Sequence, residues 1–184
     1  MKYFISIISL HKDKIASIGV VSENNRKYYA ISKELLSELD NIRKNDWWLN
    51  QYFIPCIFKD LNQSNSIFGL TEDRYWEKLK EGLQTNGKTE EEIVMGLLEF
   101  IQSPSEFWSL YYSKEVWNSF FSLFGGGVEK LPESWPKECH DLEWHLKNKG
   151  WDSDQFQKLR PSDHVNGSAI KDAKWGMAVV KALT

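Results

Sequence analysis

Three β-type runs crowd into residues 2–32, and no other feature restricts the fold as much. Residues 2–10, KYFISIISL, are apolar at almost every position, and a strand this apolar belongs in the middle of a sheet. The charged turn HKDK joins it to residues 14–22, KIASIGVVS, which are rich in β-branched side chains. SENNRK then marks a tight turn before a third run, KYYAIS. The expectation is an antiparallel three-stranded meander.

Beyond it the hydrophobic period lengthens. Ser32 fits as N-cap for KELLSELDNIRKN, in which Leu35, Leu36, Leu39 and Ile42 share one helical face. DWWLNQYFIPCIF reads as an aromatic helix stopped near Pro55. Residues 59–88 carry Asn, Gln, Ser and Gly clusters around a short helix, EDRYWEKLKEGL. Thr89 caps EEEIVMGLLEFIQ, whose acidic first turn suits the helix dipole. SEFWSLYY follows as an aromatic strand, and SKEVWNSFFSLFGGG as a helix ending at glycines. LPESWPKECHDLEWHLKNKG reads as a loop, a short strand and a helix. A polar loop over 151–167 then leads into the last helix, SAIKDAKWGMAVVKAL. With no internal repeat and no linker, the order β-β-β-α-…-α-β-α-β-α predicts one α/β domain with a mixed sheet over residues 1–184.

Composition narrows the function classes. The chain is 41% hydrophobic and 27% charged, ordinary for a folded protein, and aromatics reach 14% with nine Trp. Its net charge of −3 argues against a dedicated nucleic-acid binder, which needs basic surface to neutralise phosphates, while leaving room for a local basic face. Cys56 and Cys139 lack C-x-x-C spacing and read as reduced, partly buried thiols. No apolar run approaches the roughly 18 residues of a membrane span. The N-terminal apolar stretch breaks at His11-Lys12-Asp13-Lys14, unlike a signal peptide, so a cytoplasmic protein without membrane contact is expected.

His11, Asp13, His140, Asp141, His145 and His164 invite a metal or acid–base reading. His140 and His145 are five residues apart rather than the four of a helical zinc pair, so solvated helix residues are the plainer reading. FGGG has no strand before it and no Lys-Ser/Thr after it, so it is a helix end rather than a phosphate loop. DWWLNQYF and EFWSLYYSKEVW could stack on bases. Lacking interleaved Arg or Lys, they read rather as core or as an interface for a protein partner or a homodimer.

The words MKYFISIIS…IASIGVVSENNRKYYAIS, WLNQYFIP, EIVMGLLEF, EFWSLYY, SLFGG, CHDLEWHL and DAKW, in that order, resemble the small bacterial and phage 3′–5′ exoribonucleases of the DEDDh class. The likeness runs over nearly the whole chain, with a longer insertion at about 59–88. It implies a ribonuclease-H-like fold: a mixed sheet, its first three strands antiparallel, flanked by helices.

Such enzymes hydrolyse phosphodiesters with two divalent metals about 4 Å apart, one activating water and one stabilising the leaving oxygen. Mg²⁺ and Mn²⁺ require carboxylate oxygens, and a D-x-E pair on one strand places two on the same face. Carried onto this chain, that pair falls on Ser6 and Ile8. The second-region Asp falls at Val116, with Glu115 beside it as a stand-in or a solvated helix residue. The last Asp is Asp172, which also suits the first turn of a helix. The general-base His position, five residues earlier, is Gly167; His164 lies eight residues before Asp172, either as a displaced base or as a surface histidine.

One carboxylate cannot hold two dications against their hydration, so no metal cofactor is expected on the leading reading. That reading is a catalytically inactive relative acting as a binding module for a protein partner or for RNA or another single-stranded nucleic acid. The alternatives are an active Mg²⁺- or Mn²⁺-dependent 3′–5′ exoribonuclease using Glu115, His164 and Asp172, and a pure protein-interaction or inhibitor protein.

Overall fold

The computed structural model describes residues 1–10, 14–62 and 69–183. The meander forms as expected, with β1 at Lys2–Ser9, β2 at Ile15–Ser22 and β3 at Lys27–Ile31. β4, Glu106–Ser109, and β5, Cys139–Asp141, complete a five-stranded sheet in the order β3-β2-β1-β4-β5. β1 is antiparallel to β2 and parallel to β4, and β4 is parallel to β5, so the sheet is mixed. The apolar first strand is therefore the central one, and every residue of Tyr3–Ile8 is buried.

The helices are α1 (Leu35–Asn45), α2 (Ile54–Asn62), α3 (Glu72–Asn86), α4 (Glu90–Phe100), α5 (Ser113–Leu123), α6 (Leu142–Asn148), α7 (Ser153–Lys158) and α8 (Ala169–Leu183). Thr89 caps α4, as expected from the sequence, and does so in a full capping box with Glu92. Glycines 125–127 end α5, all with positive φ. Among the described residues no helix is long and apolar enough to cross a membrane.

Four details differ from the sequence reading. Ser32 accepts from the Glu34 amide at 3.1 Å, but the α-helix begins two residues later, with Glu34 at its N-cap. Pro55 does not stop a helix. Helical backbone runs from a π-helical turn over Leu49–Phe53 directly into α2, and this wider turn accommodates the missing N–H of Pro55 within a continuous helix. The short helix expected near residue 72 runs on to Asn86 behind a Thr71 cap. The polar loop 151–167 contains α7, which Asp152 caps. Residues 11–13 of the HKDK turn and residues 63–68 of the 59–88 segment fall outside the described residues, including His11 and Asp13.

The two faces of the sheet pack differently. Tyr3, Ile5 and Ile7 point to α4 and α5 and join one continuous cluster with Phe100, Phe107, Trp117 and Phe120. On the opposite face the core is divided. Ile8 belongs to a cluster with α1, α2 and α3, whereas Phe4 belongs to one with α6, α7 and α8, and Ser6 lies between them. α8 crosses β1 and β2 over this gap. Its approach depends on Gly19, which pairs with Ser6: a Cβ there would lie about 2.5 Å from the Ile170 amide nitrogen. The first turn of α8 is thereby held beside Ser6.

Candidate functional site

A cleft of about 630 Å³ opens where the divided face is interrupted, at the carboxyl ends of the parallel pair β1 and β4. Ligand sites of α/β sheets form outside such strand ends. Ser6, Ile8, Val116, Gly167, His164 and Asp172 all line it. Glu115 does not: it is exposed in the first turn of α5, while its neighbour Val116 faces inward. A stand-in role for Glu115 at this cleft therefore has no geometric basis. His140 and His145 lie elsewhere, their rings 4.6 and 5.5 Å from that of Trp108. Asp141 caps α6 through the Trp144 amide.

His164 is not a surface residue, since its side chain is only 2% exposed. Arg160 Nε donates to its Nδ1 at 2.9 Å, which leaves the ring proton on Nε2, 2.7 Å from Asp172 Oδ1. Trp175 packs edge-on against the ring at 5.1 Å. Arg160 also donates from Nη2 to Asn166 Oδ1 at 2.7 Å, with its guanidinium 5.5 Å from the centre of the Trp175 ring. Both nitrogens of His164 are thus committed, and no lone pair is left to take a proton from water. Hydrogen bonds to charged partners contribute on the order of 1.5–3 kcal/mol each. This chain of contacts is strong enough to hold the loop before α8 against the helix.

Gly167, at the position where the resemblance places a base, has φ of +81°. A Cβ there would sit 2.7 Å from the Tyr52 carbonyl carbon and oxygen and 2.8 Å from the Phe53 nitrogen. The backbone of the π-helical turn therefore occupies the space a side chain would need. Asp46 anchors that turn, accepting from the Leu49 amide at 2.9 Å.

Two carboxylates line the cleft, Asp46 and Asp172. Among the described residues no cluster of three or more His, Cys, Asp or Glu is placed to hold a metal ion. Such a donor set does not fit a pair of hard dications, which need several anionic oxygens to replace their water. The negative field is nonetheless felt nearby. Burial chiefly, then the charges of Asp172 and Glu143, raises the Tyr111 hydroxyl above its ordinary pKa. Cys56, whose thiol donates to the Asn166 carbonyl at 3.3 Å, is pushed up to about 11 by burial first and then by Asp60 and Asp172.

Exposed rings frame the opening. Trp48 is 42% exposed and Tyr112 72%, and both line the cleft. Tyr112 holds a left-handed conformation, φ 51° and ψ 46°, at the N-terminus of α5. For a bulky residue that costs on the order of 1–2 kcal/mol. Trp47, 67% exposed, packs edge-on against Tyr52 beside them.

Comparison with models of known families and with curated proteins finds no match to this chain. The site must therefore be read from its own chemistry. Asp46, Trp48, Tyr112 and Arg160 were not singled out by sequence reasoning. The aromatic words containing Trp48 and Tyr112 were noticed only as a group, and Arg160 had as its one signal a four-residue spacing to His164.

Proposed function

We propose that this chain is a catalytically inactive relative of the DEDDh 3′–5′ exoribonucleases, with a ribonuclease-H-like fold whose cleft serves as a binding module. The strand order β3-β2-β1-β4-β5, antiparallel in its first three strands, supports the fold reading. One observation carries the functional reading. The positions corresponding to three ligands and the base, Ser6, Ile8, Val116 and Gly167, converge on a single cleft without supplying a carboxylate or an imidazole. The fourth acid, Asp172, is held by a buried histidine that is itself capped by Arg160. An arrangement of this kind favours binding over hydrolysis.

The test is a Mg²⁺- and Mn²⁺-dependent assay on single-stranded RNA and DNA, with Asp172→Ala as control. No shortening of either strand is expected. Degradation that disappears in Asp172→Ala would sink the inactive reading and favour an enzyme using Asp172 and His164.

A further inference from the structure

The chemistry of the cleft points to a particular class of ligand. Among the described residues its charged side chains are Asp46, Asp172 and Arg160, and no lysine lines it. The guanidinium is already engaged, bonded to His164 and Asn166 and laid against Trp175. Among the described residues neither carboxylate is paired with a lysine or arginine. Asp46 caps a backbone amide, and Asp172 meets a histidine whose other nitrogen accepts a hydrogen bond. A nucleic-acid strand would bring a negative charge with every phosphate to a wall of this sign, with little to neutralise it.

The rings at the mouth complement this charge. Trp48 and Tyr112 expose aromatic surface on the same cleft, and the face of such a ring attracts a cation. Carboxylates and exposed aromatic rings lining one cleft are what a guanidinium or ammonium group needs: charge pairing for its head, and a flat π surface for its stem. The volume falls within the range of roughly 300–1,000 Å³ that encloses a compact ligand group.

We infer that the cleft receives an arginine or lysine side chain carried by an extended segment of a partner protein. This rests on the reading of the protein as a non-catalytic binding module, and it names protein rather than nucleic acid as what is bound. Asp46 and Asp172 pair with the cationic head, and Trp48 and Tyr112 cover its aliphatic stem. The loop bearing Arg160 fixes one wall.

Fluorescence anisotropy on the whole chain tests the inference. Three labelled probes are compared at about 50 mM salt: a glycine–arginine pentapeptide, its glycine–glutamate counterpart, and an eight-nucleotide single-stranded RNA with Mn²⁺. The arginine peptide is expected to bind, more weakly as salt is raised, and the other two not to bind. Asp46→Asn and Asp172→Asn keep the oxygens that accept from Leu49 and His164, so they remove charge while sparing the local hydrogen bonds. Each should weaken the arginine peptide about fivefold, the size of one half-exposed ion pair. Trp48→Ala should weaken it by a similar factor.

Failure of the arginine peptide to bind, or binding to the Asn variants as tight as to the unchanged chain, overturns the inference. RNA bound intact in preference to the peptide overturns it too, but leaves the non-catalytic reading standing. RNA shortened in Mn²⁺ overturns both.

Discussion

The two faces of the sheet are built from the same central strand, yet they solve different problems. On the α4/α5 face, Tyr3, Ile5 and Ile7 enter a continuous apolar cluster in which Phe107 touches Tyr3, Trp117, Phe120 and Trp135. On the α8 face, Phe4 and Ile8 are drawn into separate clusters, and Ser6 between them lines the cleft. Apolar packing is non-directional and tolerant. The Arg160–His164–Asp172 chain is directional and fails if one member moves. A fold can thus place its rigidity on one side of a sheet and its binding surface on the other.

The comparison breaks most easily at Phe107, which is fully buried. Phe107→Ala should cost about 3–5 kcal/mol in urea unfolding. That is a large share of the roughly 5–15 kcal/mol available to a domain. A loss under about 1 kcal/mol would mean that the closed face is not the rigid one. Next comes Gly167→Ala on the open face. The added methyl meets the Tyr52 backbone in a left-handed conformation, so a loss of about 1–3 kcal/mol is expected, with a changed tryptophan emission as the π-helical turn shifts. A neutral result would show that this turn can move.

The smallest effect concerns pH. The Cys56 thiol, pushed up to about 11 from an ordinary 9.0, holds its proton more tightly folded than unfolded. Its contribution to stability is therefore complete below pH 9 and lost as pH rises through about 11. Alkylation of Cys56 in the native protein should accelerate across that same interval. Acceleration centred near pH 9 would show that burial and the charges of Asp60 and Asp172 do not reach this thiol.

The closed face was the legible one. Apolar and β-branched runs punctuated by turns announced β1 to β3, and the Thr89 cap with its acidic first turn announced α4, because such runs and caps are local signals. Asp172 was legible as a first-turn acid. The burial of His164 was not, since it depends on Arg160 and Trp175 reaching the ring from the loop and from α8. Pro55 misled because a π-helical turn just before it lets the helix continue through a proline that would otherwise end it. Glu115 misled because a one-residue rotation about α5 decides whether it or Val116 faces the cleft. Properties that arise where distant segments meet leave little trace in either segment alone.

The parallel register of β1 with β4, from Lys2 opposite Glu106 to Ile5 opposite Ser109, also sets a schedule. A ribosome working at roughly 5–20 residues per second needs about 5–20 s to deliver the partner strand after the first has emerged. For that interval the nascent meander carries its largely apolar first strand with one side unpaired, an open template for any other extended chain. The central position that makes β1 secure in the finished sheet leaves it among the last strands to be protected during synthesis.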